Sequence, residues 1–477
     1  MQTILDIEDV KAYFASHKDE MLTDLFSIVR IPSVWKPEGD KDAPYGRGCK
    51  DALVACLKLF TDAGFDGVLS EDNRYALAFY GGNRIAESVG LFAHTDVVPA
   101  GEGWTLTDPF EPKLFDGYAI GRGIKDNKAG VILSLWILKY LREKKIPLAR
   151  PITVFLGSAE EKEMTDIPCF VKKYGSPYVS LVPDSGYPIS YGEKGIGRFR
   201  FVAKDAFRTA LALEGGTAPN VVLGQAFATL PEDEGILAAI QAAAETHERI
   251  TLLTDNGATK LRADGVAAHA SAPANSINAG CLLCSLLEAV DALPEADRAV
   301  LTNAKQLLAV TDGSVADIAG TVGEFTPLTM TNGIIRTEEG RLCLTFDIRY
   351  TPHITPKELE QKMAVCAERY GFTSHVISNR EGFLNPKDSP AVTAVLDTAE
   401  LLSGVRPKPY LMGGGTYARC LKNAYSIGLT VPYIPNPFVA PKPGHGGAHE
   451  ADEHLAIEPF IGAVVLAAEV VAKLACE

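Results

Sequence analysis

The sequence predicts an α/β protein: a layered domain with a central, mostly parallel sheet, carrying an inserted α+β domain. Three observations lead there. Short, wholly apolar runs alternate with amphipathic helical stretches over the first 190 or so residues. That rhythm gives way to period-two alternation near residue 195, and helical stretches with a glycine-rich loop return after residue 385. A chain of 477 residues also exceeds what one hydrophobic core ordinarily supports, and 47% hydrophobic residues suffice to bury more than one.

Taken in order, apolar positions at Val10, Tyr13, Phe14, Leu22, Leu25, Phe26 and Val29 recur at helical spacing until Ile31-Pro32-Ser33 stops them. Asp51 to Ala63 is a second amphipathic helix closed by Gly64, and Tyr75 to Tyr80 reads as a strand entering the Gly81-Gly82 turn. Val89 to Ala93 is a short buried strand ending at His94. Asn127 to Lys145 is a helix, Ile152 to Leu156 a buried strand stopped by Gly157, and Tyr178 to Pro183 another that stops before Asp184. In such layered sheets ligands gather at the carboxyl ends of the strands. His94, Glu160, Glu161 and Asp184 all fall there.

After Tyr191–Gly195 the pattern changes. Gly197–Val202 and Arg341–Tyr350 alternate apolar and polar residues, between helices expected near 235–245, 277–292 and 356–370. The expected division is therefore a first domain in two parts, 1–192 and 386–477, interrupted by an antiparallel α+β domain over 193–385. Asn385 to Pro390 serves as the return linker. A helix over Ala391–Leu402, the Gly413-Gly414-Gly415 loop and a final helix complete the first domain.

A net charge of −14, from 46 basic and 60 acidic residues, argues against nucleic acid or an anionic membrane as partner. Met1 to Val10 carries acids where a secretory leader needs basic residues. Phe460 to Ala475 is interrupted by Glu469 and Lys473, so no membrane span is expected. The nine cysteines are odd in number and scattered; Cys281 and Cys284 lie in an apolar helical stripe and read as reduced core residues. The expectation is a cytosolic protein.

The chemistry-bearing residues are His94-Thr95-Asp96, Asp126 after Gly121-Arg122-Gly123, Glu160-Glu161, Asp184, and His449 in His449-Glu450-Ala451-Asp452-Glu453. Singly, each has an ordinary explanation: a core histidine, a helix N-cap, a solvated acidic run, an i, i+4 pair on a helix. Together they supply two imidazoles and several carboxylates, the ligand types for a pair of divalent cations, with one carboxylate left over as a base. The combination reads as a two-metal hydrolase.

The string from His94-Thr95-Asp96-Val97-Val98-Pro99 through Trp104, Pro109-Phe110, Asp116-Gly117, Gly121-Arg122-Gly123 and Asp126-Asn127-Lys128 resembles the aminoacylase/carboxypeptidase-G family of dinuclear metallopeptidases. Pro183-Asp184, Tyr191–Gly195, Ala268–Pro273 and Gly413–Arg419 narrow the resemblance to the peptidase V branch of bacterial dipeptidases. It extends over nearly the whole chain, in order. The resemblance implies that Asp126 bridges two cations, zinc or manganese with cobalt also suitable. His94 and Asp184 would bind one, Glu161 and His449 the other. It implies Glu160 as general base, Asp96 orienting His94, and a cis peptide between Asp126 and Asn127. The inserted domain would be a lid whose His269 stabilises the oxyanion, while Asn220, Arg349, Gly414, Gly415 and Thr416 bind substrate. A small peptide substrate and a monomer are implied as well, since in this branch the lid supplies in cis what dimeric relatives borrow.

Two alternatives stand beside the dipeptidase: an N-acyl amino-acid amidohydrolase of the same family, and a non-catalytic peptide-binding relative. Three positions depart from the family pattern. Ala129 stands where glycine is usual, Asn127 where a second aspartate is common, and Ser158-Ala159 replaces threonine-aspartate.

Overall fold

The computed structural model describes residues 3–255, 258–435 and 444–476; Met1 and Gln2, at the start of the acidic N-terminal stretch, lie outside them. The chain divides into two compact units. The first comprises Met1–Gly192, Asn385–Tyr410 and Thr416–Glu477; the second comprises Glu193–Leu384 and Leu411–Gly415.

In the first unit the central sheet runs in the order Asp66–Leu69, Tyr75–Tyr80, Ile152–Gly157, Val89–His94, Val179–Ser185, Ala424–Gly428 and Ile189–Glu193. The strands Ile152–Gly157, Val89–His94, Val179–Ser185 and Ala424–Gly428 are parallel to one another; antiparallel strands flank them on both sides. Both Val89–His94 and Ile152–Gly157 are buried along their full length, as expected for strands covered on both faces. Helices Ala129–Glu143 and Ile457–Cys476 supply much of that cover.

Ile457–Cys476 is long and apolar enough to cross a membrane, with a mean hydropathy of 1.9, yet 89% of that stretch is buried inside the protein. It packs on helices Pro390–Ser403 and Ile7–Ser16. Glu469, which interrupts its apolar run, is fully buried and accepts hydrogen bonds from the backbone N–H groups of Ile4 and Leu5, each at 2.9 Å. Its charge ties the N-terminal segment to the last helix.

The single helix expected from residue 8 to about 30 is two, Ile7–Ser16 and Lys18–Val29, parted at His17. The His17 ring turns back onto Tyr13, with Nδ1 at 2.8 Å from the Tyr13 carbonyl oxygen. Periodicity alone does not reveal such a break, because both halves keep their apolar face.

A second, small antiparallel sheet of Lys113–Phe115, Tyr118–Ile120 and His454–Ala456 places His454 opposite Ile120. It brings the segment after His449 beside the Gly121–Asp126 turn, far apart in sequence.

The second unit is built on an antiparallel sheet of eight strands, from Ile250–Asp255 at one edge to Phe372–Arg380 at the other. The strand Gly195–Ala206 alternates buried and half-buried residues, with Phe199, Phe201 and Ala203 inward, as period-two patterning requires. Leu411–Gly415, expected with the first domain, groups here instead: Lys194 N–H donates to the Met412 carbonyl at 2.9 Å and Arg349 donates to the Gly413 carbonyl at 3.2 Å. Cys281 and Cys284 are free thiols on the helix Ala279–Glu288, with Cys284 buried.

Glu469→Ala leaves the Ile4 and Leu5 N–H groups without their acceptor. Denaturant unfolding should show a loss of about 2–4 kcal/mol. An unchanged midpoint for Glu469→Ala would show that the tether contributes nothing.

Candidate metal centre

The sheet positions the site through its strand ends. Val89–His94 delivers His94 at its last residue, and Ser33 and Gly157 hold the turn that follows: Thr95 N–H donates to the Gly157 carbonyl at 2.9 Å, and Ser33 Oγ–H to the Thr95 carbonyl at 2.6 Å. Gly157 ends the neighbouring strand because nothing larger fits. A Cβ there would lie 1.8 Å from the Tyr417 hydroxyl oxygen. The third parallel strand carries Asp184.

Asp126 follows Gly123, whose left-handed backbone (φ 80°) turns the chain sharply. The peptide from Asp126 to Asn127 is cis. His449 comes from an irregular loop, not the helix surface its spacing from Glu453 suggested, and itself adopts the left-handed conformation (φ 66°). That region is sparsely populated for residues other than glycine and is tolerated where surroundings enforce it.

These elements bring two trios together. His94, Asp126 and Asp184 form one, Asp126, Glu161 and His449 the other, and within each the ligand atoms lie within 4.8 Å of one another. His94 Nε2 is 3.0 Å from Asp126 Oδ1 and 3.7 Å from Asp184 Oδ2. His449 Nε2 is 3.2 Å from Asp126 Oδ2 and 3.0 Å from Glu161 Oε1. Asp126 thus turns one carboxylate oxygen to each histidine. Two imidazoles and three carboxylates suit hard or borderline divalent cations, and the donor set fits one ion per trio.

The protonation of the ion-free cluster follows from burial and charge. Burial disfavours protonating His94, but hydrogen bonds to Asp126 and Asp96 outweigh it and lift its pKa well above the usual value. Burial likewise opposes His449, yet its contacts with Asp126 and Glu161 push it up to about 11. Burial would raise Asp126, but hydrogen bonds from His449 and His94 hold it far below the carboxylate range. Glu160, 8% exposed, is pushed well up by burial and then by Asp184, Glu161 and Asp126. Asp184 rises for the same reason, with Asp126 its chief charged neighbour. Positive charge is what this cluster of acids lacks, and protons on the histidines stand where cations would.

Three buried carboxylates that belong to neither trio hold it in shape. Asp96 is fully buried, and its two oxygens accept from the N–H groups of Glu160 and Glu161, each at 3.1 Å. His94 Nδ1 lies 3.0 Å from the Asp96 backbone oxygen and 3.5 Å from its carboxylate, so Asp96 bears on both the histidine and the glutamate pair. Asp166 Oδ2 accepts from Ser158 N–H at 2.7 Å, Ala159 N–H at 2.9 Å and the Tyr417 hydroxyl at 2.6 Å. An acid therefore stands behind the Ser158-Ala159 departure, supplied from a different position. Glu453 accepts from Gly123, Lys125 and Asp126 N–H groups at 2.9–3.1 Å and from Arg122 at 2.7 Å. Arg122 in turn lies over the Trp104 ring.

Sequence reasoning missed Asp166, Tyr417, Arg122 and Glu453 in these roles. Glu453 was visible only as a helical partner of His449, and no local pattern marks Asp166. Asn127 also joins this framework, its amide donating to the Pro183 carbonyl at 2.5 Å and to Asp184 Oδ1 at 3.1 Å. An aspartate there could not donate both.

The expected substrate residues stand mainly in the second unit. Asn220 and His269 sit on adjoining segments, joined by the Ala270 N–H to Asn220 carbonyl bond at 2.9 Å. His269 Nδ1 lies 2.7 Å from Ser271 Oγ and accepts from Ser271 N–H. Arg349 is 4% exposed and paired through Nε with Asp347 at 2.5 Å, the same-face ion pair its i, i+2 spacing allows; Gly413 receives a further N–H, and Gly414 and Gly415 follow it. Thr416, in the first unit, caps the Tyr417–Cys420 turn and contacts Ser426 Oγ at 2.8 Å.

Comparison with known proteins agrees with this architecture. Residues 90–477 match the model of Peptidase family M20/M25/M40. A Bacillus subtilis (strain 168) protein named "Putative dipeptidase YtjP" is 26% identical over 469 residues, 96% of this chain and 98% of that protein. Two solved structures, human carnosine dipeptidase 1 and the Saccharomyces cerevisiae di-peptidase Dug1p, share the fold. Each has a TM-score of 0.61 with 98% of both chains covered, at 16% and 14% identity. With four-fifths of its length matching the family, the chain belongs to Peptidase family M20/M25/M40.

Proposed function

We propose that this chain is a cytosolic, monomeric metallodipeptidase that hydrolyses the peptide bond of dipeptides with two divalent cations, zinc or manganese. The observation that carries the reading is Asp126, whose two carboxylate oxygens face two separate trios. His94 and Asp184 complete one cation site; Glu161 and His449 complete the other. Cations held there supply Lewis acidity, acidifying water and polarising a carbonyl oxygen. The dipeptidase names of similar proteins support the choice of substrate.

Glu160 is the general base. It adjoins the Glu161 ligand without belonging to either trio, and burial among other acids raises its affinity for a proton. It takes a proton from the attacking water and returns it to the leaving amine. Asp96 and Asp166 fix the backbone that presents it. The second unit acts as the lid: His269 offers an imidazole to the developing oxyanion, and Asn220 on the adjoining segment binds substrate. Arg349, held rigid by Asp347, keeps two of its five N–H groups for a carboxylate. Gly414, Gly415 and Thr416 complete the substrate contacts.

Metal-stripped protein should regain dipeptide cleavage when Zn²⁺ or Mn²⁺ is restored, and Glu160→Ala should bind the same ions while losing about 10²–10⁴-fold in kcat. Cleavage of N-acetyl amino acids but of no dipeptide would transfer the assignment to an amidohydrolase; failure to bind metal would end it.

Protons on His94 and His449 must leave before cations enter, so binding should release protons. With both imidazoles charged in the ion-free protein at neutral pH, each site's affinity should weaken about tenfold per unit of falling pH. Calorimetric titration with Mn²⁺ in buffers of differing ionisation enthalpy measures the release. Binding independent of pH between 6 and 8 would contradict the protonation described.

A further inference from the structure

Lys125 precedes Asp126, and its backbone N–H is held on the Glu453 carboxylate at 2.9 Å. The residue is half-buried and lines two neighbouring cavities of the first unit. One, of about 280 Å³, extends from the Asp126 and Asp184 carboxylates to Thr430. The other, of about 300 Å³, runs from Thr430 to Tyr118 and His454. Such volumes lie at the small end of ligand pockets and suit a single amino-acid side chain.

Other buried cations of this unit are engaged. Lys128 donates to the Ile28 and Ile31 carbonyls, each at 2.9 Å, and Arg122 pairs with Glu453. Among the described residues the Lys125 ammonium makes no such bond. Burial, and then the charge of Lys125, hold the His454 imidazole below its ordinary pKa, so the described lining carries one formal cation. Asp126 and Asp184 share the first cavity, but they are the carboxylates that divalent ions would neutralise, which leaves the ammonium without a competitor. A partly desolvated ammonium in a small cavity beside the reacting centre is matched by a carboxylate, whose charge-assisted hydrogen bond offsets the lost hydration.

We propose that Lys125 is a specificity-determining residue that binds a carboxylate of the substrate in the cavity between Asp126 and Thr430. This rests on the dipeptidase reading above. Two parts of a dipeptide carry that chemistry, an acidic side chain and the C-terminus, and the kinetics separate them.

KM is measured for Ala-Ala, Asp-Ala and Ala-Asp with metal-loaded wild type, Lys125→Met and Lys125→Arg. Loss of the ammonium should raise KM about 10- to 100-fold, with Lys125→Arg recovering most of it. A rise confined to one acidic dipeptide identifies a side-chain carboxylate at that position; an equal rise for all three identifies the terminal carboxylate. Unchanged KM for all three dipeptides in Lys125→Met overturns the proposal while leaving the dipeptidase reading intact. If wild type cleaves no dipeptide, that reading fails instead, and calorimetric binding of glutarate to the same metal-loaded proteins decides. At least tenfold weaker binding by Lys125→Met supports the site; equal or absent binding in both overturns it.

Discussion

The buried carboxylate of Glu453 is the interaction on which the centre depends. Asp126 can turn one oxygen to each histidine only if its backbone is fixed on both sides of a sharp turn. Three backbone donors, the N–H groups of Gly123, Lys125 and Asp126, converge on Glu453, and the Arg122 guanidinium neutralises it. Neither Arg122 nor Glu453 meets solvent. Removing one partner of such a buried pair typically costs about 3–5 kcal/mol, because the other charge is left unpaired. The pair therefore works as a geometric constraint more than as a source of net stability. The small sheet that sets His454 opposite Ile120 holds the two distant segments in register for it.

The glutamate pair is fixed by the same device. Asp96 takes the amides of residues 160 and 161, and Asp166 those of 158 and 159. Four consecutive N–H groups that a buried loop would otherwise leave unsatisfied find acceptors, and the loop cannot slide along the sheet edge. Burial raises Asp166 to about 6, opposed by the bonds from Tyr417, Ala159 and Ser158. These hydrogen bonds favour the ionised form. The cluster as a whole concentrates negative charge where water is scarce, and the histidine protons of the ion-free state are its internal compensation.

Much of this was legible in the sequence because it is local. Short, wholly apolar runs such as Val89–Ala93 are best read as buried strands, and a polar residue that closes such a run then falls at a strand end. His94, Glu160, Glu161 and Asp184 were singled out by that position. Asp126 and His449 stood out by residue type alone, and because their own spacing was ambiguous their roles came from the resemblance. Three features escaped: the break at His17, since both halves keep their apolar stripe; the true partner of Glu453, since i, i+4 spacing suggested a helix; and the grouping of Leu411–Gly415 with the second unit, which rests on hydrogen bonds to Lys194 and Arg349, over 60 residues away.

The amino-acid sequence by itself determined where the buried parallel strands of the first unit run, which candidate residues follow them, and which residue types a pair of cations would meet. These follow from periodicity and from the ligand chemistry of imidazole and carboxylate. Tertiary structure alone decided which of these acids face imidazoles and which face backbone amides. Asp126 and Asp96 look alike in sequence, each an aspartate near a strand end or turn. One faces two histidines, and the other faces two amides. What a carboxylate does is set by the donors folded around it, and those come from segments that meet only when the chain is packed.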